Sequence, residues 1–216
     1  IPVYAELTGG YFDAIEVQIF LNLLAIIDNP LQDIPLISVL RSPIGGFSTE
    51  ELITLRADCR EGLFYEALKD GADRDTPLGH KAVGFLGRLK RWRAQGELYD
   101  ITELIAMLLE DTGFENYVSA LPGGQSRHAN LEALIKNAGI YSNSGHGIRG
   151  FLRFMEKARS GDSLGAAQIA SANVVRLISI HKSKGLEFPA VILGGLSVNF
   201  NKKSRSSVLV LDSSLG

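Results

Sequence analysis

The stretch from Val174 to Leu193 constrains this chain more than any other. Val174-Val175-Arg176-Leu177-Ile178-Ser179-Ile180 is β-branched and apolar, the pattern of a buried strand. A polar knot follows, His181-Lys182-Ser183-Lys184-Gly185-Leu186-Glu187, and then a second apolar run, Pro189 to Leu193, that also reads as a strand. A short polar crossing between two buried strands lies at the mouth of a sheet. In an α/β sheet the ligand site is found there, outside the carboxyl end of a strand. Ile1 to Ala5 is strand-like too, so the first and last segments want the same sheet.

The residue types in the knot suggest a ligand. Lys182, Lys184 and His181 can face phosphates, as charge or as donors. Gly185 lets backbone approach a ligand closely. Glu187, when ionised, only accepts hydrogen bonds, so it suits a sugar hydroxyl rather than a phosphate. A solvated charge cluster on a plain surface loop is the other reading of the same residues.

Between the strand-like ends the pattern is helical. Tyr11, Phe12, Ile15, Ile19, Leu23 and Ile26 recur at helical spacing, and Asp28-Asn29-Pro30 ends that helix. Asp33 caps a short helix through Leu40, with Pro35 tolerated in its first turn. Arg41 to Gly46 is a loop. Ser48-Thr49-Glu50-Glu51 is a capping-box signature for a helix to about Asp58, with another over Gly62 to Lys69. Cys59 is expected as a packed helix residue. Thr76-Pro77, a cap followed by a proline at the first helical position, starts a helix that Gly96 ends. Leu78, Ala82, Phe85, Leu86, Leu89 and Trp92 form its apolar face. Lys81, Arg88, Lys90, Arg91 and Arg93 make it the most basic segment in the chain. They are either a solvated surface with arginine stems over the core or a phosphate-facing ridge. Further helices are expected over Ile101–Leu109, Phe114–Ala120, Ala129–Ala138 and Ile148–Arg159. Tyr141 to Gly147 is expected as a loop, and Gly161 to Asn173 as a small-residue connection.

The formal net charge of −2 gives no global basic signature, so any nucleic-acid contact must come from a local patch. A single cysteine excludes a disulfide framework and fits a reducing compartment. The four histidines do not fall at metal-ligand spacing with cysteine or acid, and no apolar run reaches the length of a membrane span. The chain starts on Ile1 without an initiator methionine and closes just after another strand-like run. Both ends look cut, and a piece of a larger protein is expected.

Ser179 to Glu187 resembles motif V of superfamily 1 DNA helicases of the UvrD/RecB kind, Thr-x-His-x-x-Lys-Gly-Leu-Glu. Ser179, His181, Lys184, Gly185, Leu186 and Glu187 fall on it in register, with serine keeping the hydroxyl of the usual threonine. Glu16-Val17, Asn29-Pro30, Asp33 and Arg41-Ser42-Pro43 follow in the order seen after motif IV of that family. Arg127-His128-Ala129-Asn130-Leu131 resembles its Arg-x-x-Asn-Leu run opening a helix. Within the family, the wording of 1–55 and 160–201 is most similar to the AddA component of bacterial AddAB helicase–nucleases.

The resemblance implies a fold that is α/β by origin and mostly α in content, part of a RecA-like second motor domain of the P-loop NTPase kind. Residues 1–10 would supply one strand, 11–165 a helical inserted domain, and 166–216 the remaining strands with motif V. It implies that Ser179 and His181, with Lys182 and Lys184, face single-stranded DNA. Gly185 and Glu187 would lie at an ATP site, Glu187 accepting from the ribose. ATP and Mg2+ would serve the intact protein, a bacterial cytoplasmic helicase–nuclease component in double-strand break repair. It would work on single strands and duplex junctions beside a second subunit, without a membrane. No Gly-x-x-x-x-Gly-Lys-Ser/Thr loop occurs in the sequence, so no catalytic residue and no metal site is assigned, and the chain alone is expected to be inactive. A UvrD-like repair helicase without nuclease and a non-catalytic helical scaffold are the alternatives.

Overall fold

A computed structural model describes residues 3–5, 11–142, 147–160, 175–177, 183–185 and 187–194. The chain divides into two units, 1–177 and 178–216.

The first unit is mostly helical. Its described helices are α1 Ile15–Asp28, α2 Asp33–Arg41, α3 Thr49–Asp58, α4 Phe64–Ala72, α5 Pro77–Gly96, α6 Ile101–Thr112, α7 Phe114–Ser119, α8 Gly124–Ser142 and α9 Ile148–Arg159. Two short strands, β1 Val3–Ala5 and β2 Val175–Leu177, pair in parallel with Val3 opposite Val175 and Ala5 opposite Leu177. The expectation that the two ends share a sheet is thus met. Parallel strands need a long crossover, and here the whole helical body lies between them in sequence.

The body is built around α1. Val17, Phe20, Leu23, Leu24 and Ile26 are fully buried, and the helix packs against α2, α5, α8 and α9. Trp92, Phe85 and Phe47 extend the core through edge-on ring contacts at 6.2–6.4 Å, and Tyr141 tilts against Phe151 at 5.7 Å.

The local start signals hold. Ser48 Oγ accepts from the Glu51 N–H at 3.2 Å while the Glu51 carboxylate accepts from the Ser48 N–H at 2.7 Å, completing the expected capping box of α3. Thr76 Oγ1 accepts from the Gly79 N–H at 3.0 Å at the head of α5. Asp100 builds a second, unforeseen box at α6, and Gly113 ends α6 in the left-handed region at φ 62°.

Other expectations are corrected. Asp33 lies one residue inside α2 rather than capping it, and its carboxylate accepts from the Phe64 N–H at 2.8 Å, starting α4 instead. Helix α8 begins five residues before Ala129 and continues through Tyr141 and Ser142. Its first turn carries no apolar period, and local bonds set its start: the Gly124 N–H donates to the Leu121 carbonyl at 2.9 Å and the Arg127 N–H to the Gly123 carbonyl at 3.1 Å. Cys59 is not packed in a helix: it follows α3 as its C-cap, half-buried, with Sγ 3.6 Å from the Glu61 carbonyl. The connection 161–173 lies outside the described residues. Among the described residues no helix is long and apolar enough to cross a membrane.

Candidate functional site

In the second unit the polar knot is described only in part. Ser179, His181 and Lys182 lie outside the described residues. Lys184, Gly185 and Glu187 are all exposed, with a turn at Lys184–Gly185. Gly185 takes φ 84°, a left-handed conformation that costs an L side chain about 1–2 kcal/mol. A Cβ added there would meet nothing within 4 Å, so this position requires glycine for its backbone angle and not for room. The turn offers a bare backbone, an ammonium and a carboxylate to solvent, the donor and acceptor set that a nucleotide or a phosphodiester strand can use.

The run after the turn departs from expectation. Pro189 to Leu193 forms no strand, and Val191 and Ile192 are 72% and 96% exposed. A strand is held by a neighbour's hydrogen bonds and by a covered face, and no described strand pairs with this run.

Within the helical body, the words that resembled the helicase family serve as structural bonds. Glu16, 2% exposed, accepts from Arg127 Nη1 and from Asn130 Nδ2, each at 2.7 Å, one donor per carboxylate oxygen. Arg127 also donates from Nε to the Pro122 carbonyl at 3.2 Å, which fixes the start of α8. The Leu31 N–H donates to Asn29 Oδ1 at 3.1 Å across the turn between α1 and α2. Buried Ser42 closes the following loop on itself, donating to the Val39 carbonyl at 2.7 Å and accepting from the Ile44 N–H at 3.2 Å.

The basic face of α5 is largely spent inside the protein. Lys81 Nζ lies 2.6 Å from Glu51. Arg88 donates to the Ile44 carbonyl at 3.0 Å and lies over the Phe85 and Trp92 rings at 5.8 and 5.6 Å. Burial draws its pKa down, partly offset by the charge of Asp111. Arg91 grips both oxygens of Asp111 at 2.9 and 2.8 Å, and the Trp92 indole N–H donates to the same carboxylate at 2.6 Å. Burial pushes the Asp111 carboxyl up, but those bonds and the charges of Arg91 and Arg88 outweigh it and hold the group below its ordinary value. These three cations therefore support the structural reading of the stripe. Sequence reasoning missed Asp111, whose partners sit 19 and 20 residues away. Among the described residues, no group of three or more His, Cys, Asp or Glu side chains could hold a metal ion.

The described residues thus hold a parallel strand pair separated in sequence by a large helical body, and an exposed glycine turn further along. Comparison with known families identifies the class: the chain belongs to the UvrD-like helicase C-terminal domain family, whose model matches residues 89–207. Among curated proteins it is similar to the A-type subunits of ATP-dependent helicase/nucleases. It is 46% identical to that of Alkaliphilus oremlandii, 47% to that of Bacillus licheniformis and 46% to that of Clostridium acetobutylicum. Each alignment covers the whole of this chain but 18% of the relative's length.

Proposed function

We propose that this chain is the second-motor segment of an ATP-dependent helicase–nuclease that translocates on single-stranded DNA and opens duplex ends in double-strand break repair. The observation that carries this reading is the turn holding Lys184, Gly185 and Glu187, exposed together with Gly185 left-handed, in a chain matched along its full length by A-type helicase/nuclease subunits. On this reading β1, β2 and the second unit belong to a RecA-like motor domain, and 11–165 is its inserted helical domain. The whole protein is a bacterial cytoplasmic enzyme working beside a second subunit on single strands and duplex junctions.

The roles within the knot follow from chemistry. Glu187 accepts from a nucleotide sugar hydroxyl, and Gly185 lets the base or sugar lie against its backbone. Ser179, His181, Lys182 and Lys184 face the phosphates of the DNA strand as donors or charges. Both ligands thus bias one short segment, which is what coupling a track to a fuel requires. These residues fit the sugar end of ATP. The triphosphate and Mg2+ need a phosphate cradle, and this sequence has no such loop. Bound ATP supplies the free energy of phosphoryl transfer.

Two measurements test the reading. This chain alone should turn over no ATP above background, and turnover would refute the division of labour. In the full-length protein, Glu187→Ala should lower ATP-driven unwinding more than DNA affinity, whereas His181→Ala should weaken DNA binding or its stimulation of ATPase. Wild-type behaviour of both variants removes the assignment.

A further inference from the structure

The partners of α5 leave part of its basic stripe unexplained. Lys81, Arg88 and Arg91 are committed as described, but Lys90 and Arg93 line a groove of about 440 Å³ between α4 and α5, joined from α4 by Lys69. Arg93 gives its Nε–H to the Ile27 carbonyl at 3.2 Å; its two terminal amino groups remain. None of the lining residues is acidic. The walls between the cations are apolar: Val83 and Leu86 beside the bare backbone of Gly87, with the Tyr65 ring, over which Lys69 Nζ lies 5.9 Å from the centroid.

Gly87 adds a second observation. A glycine inside a helix costs about 1 kcal/mol against alanine, yet a Cβ placed there would meet nothing within 4 Å. Among the described residues no packing asks for the missing side chain, at Gly87 as at Gly84 before it on the same helix. A flat group entering from outside would use the room.

We propose that this groove binds a single-stranded nucleic acid, with phosphates on Lys69, Lys90 and Arg93 and a base lying on Tyr65 against Gly87. Cations at 90 and 93 stand one helical turn apart, about 5–6 Å between Cβ atoms, so they can hold neighbouring phosphates of a strand. A basic groove with an aromatic platform is the usual means of holding single strands without sequence preference. An acidic peptide would satisfy the cations but would leave the ring and the bared backbone without a flat partner. The proposal rests on the motor reading only in taking DNA as the strand.

The test is fluorescence anisotropy of labelled oligothymidylate against the 216-residue chain over a salt series. Replacing Lys69 and Lys90 together by alanine should weaken binding at low salt by about tenfold or more. It should also flatten the log–log salt slope by about 1.4, two contacts at about 0.7 each. Tyr65→Ala should weaken binding about tenfold and Tyr65→Phe should restore it. Lys136→Ala, an exposed lysine on α8, should change neither affinity nor slope, and melting curves check that each variant is folded. The proposal is overturned if the wild-type chain fails to bind at low salt, if the Lys69/Lys90 variant matches Lys136→Ala, or if polyglutamate of matched charge competes as well as oligothymidylate. Loss of binding on changing His181 and Lys184, with the groove variants unaffected, would sink the groove and spare the motor. Groove-dependent binding in a full-length protein whose ATPase ignores DNA would do the reverse.

Discussion

Glu16 is the residue on which α1 and α8 agree. Its carboxylate is buried, and both oxygens are satisfied by donors more than a hundred positions away, Arg127 and Asn130. Removing one partner of such a pair leaves an uncompensated buried charge, at a cost of about 3–5 kcal/mol. Arg127→Ala should therefore destabilise the chain by about that much in urea unfolding. Replacing Glu16 by leucine and Arg127 by methionine together should cost clearly less than the sum of the two single changes, because the charge and its counter-charge leave as a pair. Additive losses would mean that the two side chains do not depend on each other. The sequence makes both words visible, Glu16-Val17 and Arg-x-x-Asn-Leu, but nothing local says that they touch. A pattern reports what lies within a few turns, and this contact is made by the packing of whole helices.

At the scale of elements, the same divide separates what could be read from what could not. The starts of α3 and α5 were legible because a cap is a bond between residues three apart, Ser48 with Glu51 and Thr76 with Gly79. The partner of Asp33 and the fate of the α5 cations were not, since each depends on a neighbour from another part of the chain. The α5–α6 seam shows how such a neighbour can be tested. Asp111 is held below its ordinary value of 3.8, so between the depressed folded value and 3.8 the unfolded chain binds more protons than the folded one. Stability from this carboxylate is then full above about pH 4 and is lost as pH falls through the lower folded value. Glu51, held below 4.5 chiefly by the hydrogen bond from Lys81, acts in the same direction. Asp111→Asn should melt lower than wild type at neutral pH and lose less on acidification, so that the two melting curves converge in acid. A constant gap down to low pH would show that the charge on Asp111 contributes nothing.

For the molecule as a whole, the question is whether the helical body is a domain in its own right or a decoration that needs the strands. Among the residues whose burial is described, the buried apolar core runs from Val17 to Met155. The strand pair lies outside that interval in sequence, at 3–5 and 175–177. Two paired strands are marginal alone in water, so they depend on further strands or a helix face for stability, while the body already has a continuous core of its own. On the proposed division, the 1–10 and 166–216 segments belong to one sheet-built domain and 11–165 is inserted into it. The sequence suggests that division through its change of period, from the β-branched runs at the ends to helical spacing between them. It could not reveal that the run at 189–193 would lie exposed, because strand pairing depends on partners and not on composition. A truncated chain spanning 11–160 should thus keep its helical circular dichroism and melt cooperatively within a few degrees of the 216-residue chain. It should also retain the urea cost of Arg127→Ala, since Glu16, Arg127 and Asn130 all remain in it. If the truncated chain is molten or melts without cooperativity, the body draws its stability from the segments around it, and the division at 11–165 is wrong.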